Sequence, residues 1–538
     1  MAKMRVPPGV GSGSFSKAIK NFKQIVGDEW VFTSDEDLNL YRDFYSPVWG
    51  EADERIASAA VAPNTADEVS AVVKVANDQQ IPIYPISTGR DLAYGGSAPV
   101  YSGSVVLDLK RLNRVLDVSE RNACALVEPG VSYFDLYRYI QERKLKLWID
   151  PPDPGWGSPI GNSLDHGAGY TLAPYRDHFA AHCGMEIVLP NGEIMRTGMG
   201  AVPNSKTWQQ FKYGVGPIVD GLFAQSNFGV VTKMGFWLMP EPEAYRMATV
   251  TAPLHDNIVD FMDILTSLIY AGVIDSQTIV TSPMYSGRKD AELAALHAKE
   301  GGASSGELDA YAKAKGIPFW TAQFKFYGLQ KVIDAQWEQV QNRFSSIPGV
   351  QFKELEALRF PLTPEQVENV IHTPSVGIPS LRIFQGRTRT NPNPADAHAD
   401  FSIVVPMAGE DALEALKVLS HEFATSGTDA MVGNLASYHV RAMILISTFP
   451  FYRNDPERNK RNRDFFAHMI KVCADRGWGQ YRSHAIFANN CLQSYSFNNN
   501  VLHRFHETLK DAVDPNGIIS AGRYGIWPKH LRKKMEKI

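Results

Sequence analysis

The stretch 151–186, PPDPGWGSPIGNSLDHGAGYTLAPYRDHFAAHCGME, constrains this chain more than any other. It is too rich in glycine for a helix and too broken for a strand, with Gly155, Gly157, Gly161, Gly167 and Gly169 set among few large side chains. Glycine tolerates positive φ and leaves N–H groups bare, so such a run lets backbone approach a flat or phosphorylated ligand. The competing reading is a plain loop.

The surrounding chain decides which classes of ligand are open. At 538 residues, 44% hydrophobic and 21% charged, it has the makeup of a globular protein of two or three domains. A net charge of -4 gives no basic field for nucleic acid, and the end WPKHLRKKMEKI reads as a short solvated tail. The cysteines, Cys124, Cys183, Cys473 and Cys491, show no C-x-x-C spacing, which argues against a disulfide framework or a cysteine zinc site and fits a reducing compartment. The beginning MAKMRVPPGVGSGS lacks a signal-peptide apolar run, no apolar stretch reaches membrane-spanning length, and the last three residues are not a peroxisomal address. A cytoplasmic location without a membrane partner is the expectation.

Residues 57–62 read as a strand, and Thr65-Ala66-Asp67-Glu68 as a capping box. The helix that follows places Val69, Val72, Val73 and Ala76 at i, i+3, i+4, i+7, one buried face. A strand at 81–86 completes a β-α-β unit, which ends in the loop Ser87-Thr88-Gly89-Arg90-Asp91-Leu92-Ala93-Tyr94-Gly95-Gly96-Ser97. Hydroxyls, a guanidinium and three glycines give that loop the chemistry of a pyrophosphate cradle, although it has neither the Rossmann nor the P-loop glycine spacing. A plain turn is the alternative.

Strands follow at 104–108 and 123–127, then a helix capped by Ser132 with Phe134, Leu136, Tyr137 and Ile140. Asn191-Gly192 between EIVLP and EIMRT marks a hairpin. The turn Gln225-Ser226-Asn227-Phe228-Gly229 feeds the β-branched Val230-Val231-Thr232, a segment suited to main-chain contact with a planar ligand. Beyond Pro240-Glu241-Pro242 the texture changes to long amphipathic helices, around 256–272, 330–346, 410–425 and 457–475, with strands at 319–326, 402–406 and 438–448. This is a second domain. Its apolar-poor run 387–400 reads as an exposed or ligand-facing loop. The pattern overall is α+β. There is no internal repeat.

The motifs STGRDLAYGG, VEPGV, PDPGWGSPIGN, RTGMGA, FAQSNFGVVTKMG, YRSH and DPNGIISAGRYG, in this order and at these separations, resemble the vanillyl-alcohol oxidase and p-cresol methylhydroxylase family, with 4-alkylphenol oxidases the nearest-looking branch. The likeness covers almost the whole chain, strongest over 57–240 and 476–528. It implies a two-domain α+β flavoprotein: an FAD-binding domain of two α+β lobes, built from 1–241 and 479–538, and an α+β cap domain, 242–478. By this resemblance Ser87, Thr88, Gly89, Arg90, Gly95 and Gly96, with Pro152, Gly157, Ser158, Gly161 and Asn162, wrap the FAD pyrophosphate. Gly229 and Val231 face the cofactor, and Arg523 lies near the flavin.

The resemblance further implies that His398, in AHADFS, bonds the flavin covalently. A neutral imidazole available near pH 7 is a competent nucleophile for that. Read alone, the residue is a surface histidine in a polar loop. Tyr94, Tyr481 and Arg482 would surround a phenolic oxygen and hold it as phenolate, so that hydride leaves the benzylic carbon and a p-quinone methide forms. Neighbours on a regular strand point oppositely, so joint use of Tyr481 and Arg482 requires irregular backbone. Asp153 matches the acidic residue beside flavin N5, a candidate general base for water addition; locally it is a turn aspartate before proline.

Two departures from the family pattern stand out: 169–177 looks two residues longer than usual, and Asp400 replaces a residue often apolar. Asp400 either meets a hydroxylated or methoxylated side of the ligand or faces solvent. The segment after Met199 lacks an insertion tied to higher assembly, so a homodimer is expected. The implied partners are a phenolic substrate, either a 4-alkylphenol, a 4-allylphenol or a 4-hydroxybenzyl alcohol, and O2. A cytochrome-coupled dehydrogenase of the same fold and a silent ligand-binding relative are alternatives. So is a metal-dependent hydrolase, because His178 and His182 would stand at i, i+4 on one helix face beside Asp177 and Cys183, although the glutamate of H-E-x-x-H is missing. No metal is expected.

Overall fold

The computed structural model describes residues 5–286, 290–383 and 396–535. Helix and sheet are mixed throughout, in three main sheets. The first carries the predicted β-α-β unit. Strands Ala59–Val61, Val105–Asp108 and Ile83–Ile86 are parallel, with Val31–Phe32 antiparallel on one edge. The crossover helix Ala66–Asp78 buries Val69, Val72, Val73 and Ala76, the face its spacing required. Its cap differs by one residue from the expected box: Thr65 accepts from the Glu68 N–H, while the Glu68 carboxylate reaches the N–H of Asn64.

The second sheet is antiparallel, in the order Val115–Ser119, Cys124–Val127, Val230–Trp237, His182–Val188, Ile194–Arg196. The hairpin forms at Asn191-Gly192 as read, with Gly192 at φ +83°. Its first strand starts earlier than expected, at His182.

The third sheet has eight strands, with Ala244–Ala252, Trp320–Gly328, Gln351–Arg359, Ala397–Pro406 and Ala442–Phe451 the longest. Helices Ile258–Tyr270, Gln330–Phe344, Gly409–Thr425 and Pro456–Ala474 match the four long helices expected, and their apolar faces join the largest core, which includes Phe261, Phe324, Phe344 and Phe401. The short strand Gln480–Arg482 closes one edge by pairing with Ala397–Pro406.

After that strand the chain returns to the first sheet, where Ile83 N–H bonds Ile518 C=O at 2.7 Å. A fully buried ammonium fastens this return. Lys510 Nζ donates to Asp514 at 2.7 Å and to the carbonyls of Asn227 and Ile519 at 2.8 Å each, so the 225–229 turn and the C-terminal segment share one buried ion pair. Removing one partner of such a pair leaves an uncompensated buried charge, a cost of about 3–5 kcal/mol.

Two expectations are corrected here. The run 387–400 is not an exposed loop at its end, because 397–400 is buried strand; residues 384–395 lie outside the described residues. His178 and His182 do not share a helix. Asp177 Oδ1 accepts the Ala180 N–H and turns the chain, and His182 opens a strand. The two rings go to different partners, Tyr133 Oη at 3.2 Å and Asp220 Oδ1 at 3.2 Å. Among the described residues no group of three or more His, Cys, Asp or Glu side chains is arranged to hold a metal, and no helix is long and apolar enough to cross a membrane.

Candidate functional site

A cavity of about 290 Å³ runs between the two smaller sheets and the eight-stranded sheet, and the loop 87–96, the segment 152–170, the 225–231 turn, the strand carrying His398, the strand carrying Tyr481 and the C-terminal turn at Arg523 all wall it. The pyrophosphate-like loop after Ile86 contributes Ser87, Thr88, Gly89, Arg90 and Gly96. Gly95 stands behind that wall, where an added Cβ would lie 3.1 Å from Ala485 Cβ; its role is to let the loop pack against 485, and it is not a lining residue. From the organising stretch come Pro152, Asp153, Gly157, Ser158, Gly161 and Asn162. Ser158 caps the short helix Pro159–Leu164 by accepting from Gly161 N–H, and its own hydroxyl donates to Pro129 C=O at 2.7 Å. Gly229 and Val231 lie opposite.

The polar inventory fits a dinucleotide. Gly161 comes so close to the first loop that a Cβ would stand 2.4 Å from Ser87 Oγ, which would have to turn away to admit a side chain. Asn162 Oδ1 is buried with no hydrogen-bond partner, a group that a ligand would satisfy. Arg90, Arg482 and Arg523 all border the space. Arg523 Nη2 donates to Asp165 Oδ1 at 2.8 Å and lies 3.6 Å from Asp91. Burial, then repulsion from Asp165, pushes the pKa of Asp91 up to about 8, against the pull of Arg523 and Arg482.

At the other end, Tyr94, Tyr481 and Arg482 converge. The backbone irregularity that this demands is present: Ser402 pairs with Arg482 and Ile403 with Gln480, so Tyr481 is skipped in the ladder as a bulge. Gln225 pins the bulge by donating to Tyr481 C=O at 3.0 Å. Arg482 Cζ then sits 3.7 Å from the centroid of the Tyr94 ring and 5.4 Å from that of Tyr481. Its Nε is buried without a hydrogen bond, and the Asp165 carboxylate is 4.0 Å from Nη1. Burial raises the pKa of both phenols, so Tyr94 and Tyr481 remain O–H donors. Burial opposes the charge on Arg482, but its interactions with Tyr481, Tyr94, Asp165 and Asp91 outweigh it and keep the guanidinium protonated. One cation and two hydroxyl-bearing side chains thus border the same part of the cavity.

His398 lies on the same wall, 8% exposed, its ring edge-on to Tyr45 with centroids 5.0 Å apart and its Nε2 4.0 Å from Asp400 Oδ1. Asp400 does not face solvent. It is 5% exposed, lines the cavity and accepts from Thr448 Oγ1. Asp153 accepts a 2.7 Å hydrogen bond from Tyr170, a residue of the longer 169–177 stretch.

Sequence reasoning passed over Asp165, Ser402 and Tyr170. Asp165 sits inside the glycine-rich stretch, and the appearance of a carboxylate there beside later arginines was the available signal. Ser402, 3.4 Å from Tyr94 Oη, is 308 residues away in the chain and carried none.

Residues 57–198 match the family model described as FAD binding domain. The chain is 33% identical to the flavoprotein subunit of 4-cresol dehydrogenase (hydroxylating) from Pseudomonas putida, over 97% of both chains. It is 36% identical to 1'-carboxy-chondrochloren decarboxylase from Chondromyces crocatus, over 43% of this chain and 42% of that one. Among solved structures, 4-ethylphenol oxidase from Gulosibacter chungangensis, in an isoeugenol complex, superposes with a TM-score of 0.83 at 33% identity, covering 98% of this chain and 100% of that one. Substrate-bound p-cresol methylhydroxylase gives 0.84 at 32% identity, with 97% and 99% covered.

Proposed function

Since the chain belongs to the vanillyl-alcohol oxidase and p-cresol methylhydroxylase family of FAD-dependent oxidoreductases, we propose that it oxidises para-substituted phenols at the benzylic carbon and passes the electrons to O2. The observation that carries this reading is the Arg482 guanidinium held between the Tyr94 and Tyr481 rings, at the closed end of a cavity whose other walls suit a dinucleotide.

Arg482 and the two phenol hydroxyls bind the aryl oxygen and favour its ionised form. The developing p-quinone methide has its former phenolate oxygen in the same place, so these donors also fix the ring with its para carbon directed along the cavity. FAD, when bound along the loop 87–96 and the 157–162 segment, supplies the acceptor for the hydride. His398 is the residue proposed to hold it covalently; its place on the cavity wall, buried beside Tyr45 and Asp400, supports this. Asp153 accepts the proton of a water that adds to the quinone methide. Asp400 is the polar group that meets a substituent of the ligand on the cap side.

The test is anaerobic mixing with 4-ethylphenol and with its O-methyl ether, which cannot ionise. Loss of the oxidised-flavin absorbance with the phenol and not with the ether supports the reading; equal rates for the two refute it. The acceptor is settled by turnover under air against turnover with an artificial electron acceptor. A cytochrome-coupled dehydrogenase, the reading that the flavoprotein-subunit relative favours, would show turnover only with the latter.

A further inference from the structure

Asp153 is not isolated at the cavity wall. Its Oδ2 takes the Tyr170 hydroxyl at 2.7 Å and faces Nε2 of His372 at 3.7 Å. The His372 ring is edge-on to Tyr170, centroids 4.6 Å apart, and its Nδ1 bonds Ser375 Oγ at 2.7 Å. The tautomer in which Nδ1–H donates to Ser375 Oγ leaves Nε2 as the atom able to accept a proton from the Asp153 carboxyl group.

Several contacts build this arrangement. Tyr327 Oη donates to Ser375 C=O at 2.8 Å and touches Tyr170 C=O at 3.5 Å, which clamps the two segments together, and Gly155 N–H bonds Ser380 C=O at 2.9 Å. Tyr170 N–H is fixed by Asp150 Oδ1 at 2.9 Å. Asp150, Arg176 and Lys325 are charged groups nearby; the Lys325 ammonium lies 5.3 Å from the Tyr170 ring and bonds Gln277, and burial lowers its pKa to about 7. On the outer side, Glu356 accepts from Ile371 N–H, next to His372 in the chain.

Exposure separates the two ends. The Asp153 side chain is 12% exposed and lines the cavity, whereas His372 is 33% exposed and is not part of the cavity wall. A carboxylate that takes one proton per turnover has to return it to solvent, and in a cavity filled by ligands the open way is through the wall.

We propose that His372 is the proton outlet of this site, relaying to solvent the proton that Asp153 receives. This rests on the phenol oxidation proposed above. Water adds to the benzylic carbon of the quinone methide: the C–O bond forms, the ring regains its phenolate electron pair, and the water proton goes to Asp153. The carboxylic acid passes it from Oδ2 to Nε2 of His372, and the imidazolium gives it to bulk water. No further oxidant is consumed. Tyr170 and Ser375 are positioning residues that hold the carboxylate and the ring in line. Tyr170 belongs to the longer 169–177 stretch, so the extra length of that stretch acquires a use.

The experiment compares wild-type holoenzyme with His372→Gln and His372→Asn, each checked for FAD content, using 4-ethylphenol. Anaerobic stopped flow reads flavin reduction, and steady-state turnover is measured in dilute buffer with and without added imidazole. Flavin reduction stays within about twofold of wild type. Turnover falls about tenfold, less than the ~10²–10⁴ of a direct acid–base group, and imidazole restores it while leaving wild type unchanged. Unchanged turnover in both variants, or a loss that imidazole does not repair, overturns the relay. Absence of flavin reduction in wild type overturns the phenol reading and the relay together, so the two failures are told apart.

Discussion

Arg482→Met removes the positive charge from the closed end of the cavity at nearly constant volume. The guanidinium carbon is 3.7 Å from the Tyr94 ring and the side chain is 16% exposed, so solvent screens it poorly. A unit charge about 4 Å from a phenolate is worth ~4 kcal/mol at an effective dielectric constant of ~20. The carboxylate 4.0 Å from Nη1 belongs to Asp165, whose Oδ1 is already bonded to Arg523, so part of that field is offset. A net loss of about 3 kcal/mol is therefore expected, equivalent to about two units in the pKa of the bound phenol. The assay is the colour of 4-nitrophenol, which absorbs strongly only when ionised, titrated while bound to the holoenzyme. Its bound pKa rises by about two units in Arg482→Met, and kcat/KM for 4-ethylphenol falls ~10²–10³-fold. Arg482→Lys keeps the charge but loses the planar fork, and falls between. An unchanged bound pKa in Arg482→Met would refute the electrostatic argument, whatever happened to the rate.

Three other outcomes are expected. Acid precipitation leaves the yellow colour with wild-type polypeptide and releases it to the supernatant from His398→Ala; colour released from both counts against the covalent link. Gly161→Ala places a methyl 2.4 Å from Ser87 Oγ, so the hydroxyl must turn away from its present position, and the expected readout is a lower FAD-to-protein absorbance ratio; an unchanged ratio counts against Ser87 as a cofactor contact. Lys325→Met removes a buried ammonium whose pKa is lowered to about 7 from 10.5. The unfolded chain holds this proton up to pH 10.5 and the folded one only up to about 7, so the wild-type penalty is full below pH 7 and fades as pH rises through that window. The substitution accordingly raises Tm more at pH 6 than at pH 9, and equal shifts would contradict the sign.

The β-α-β unit, the hairpin at Asn191-Gly192 and the four long helices were legible because each is encoded in one contiguous stretch, by period, cap or turn. The cavity-lining segments were legible for the same reason: 87–96 and 157–162 are contiguous runs rich in glycine and donors, and all but Gly95 and Pro159 line one cavity. What the amino-acid order could not carry is pairing between distant segments. The edge strand Gln351–Arg359 alternates charged residues with few apolar ones and carries no strand signal of its own, because its place follows from eight pairings with residues 244–251 and not from its own pattern. His398 and Asp400 looked like part of a polar loop; ladder bonds to Ala442–Phe451 make them buried strand. That Tyr481 and Arg482 both reach the cavity depends on one bulge opposite Ser402 and Ile403, and that Asp153 meets His372 depends on a clamp by Tyr327. Local chemistry was written in the sequence. Its convergence was decided by strand register and by packing across hundreds of residues, since a one-residue slip in a sheet turns every side chain to the opposite face.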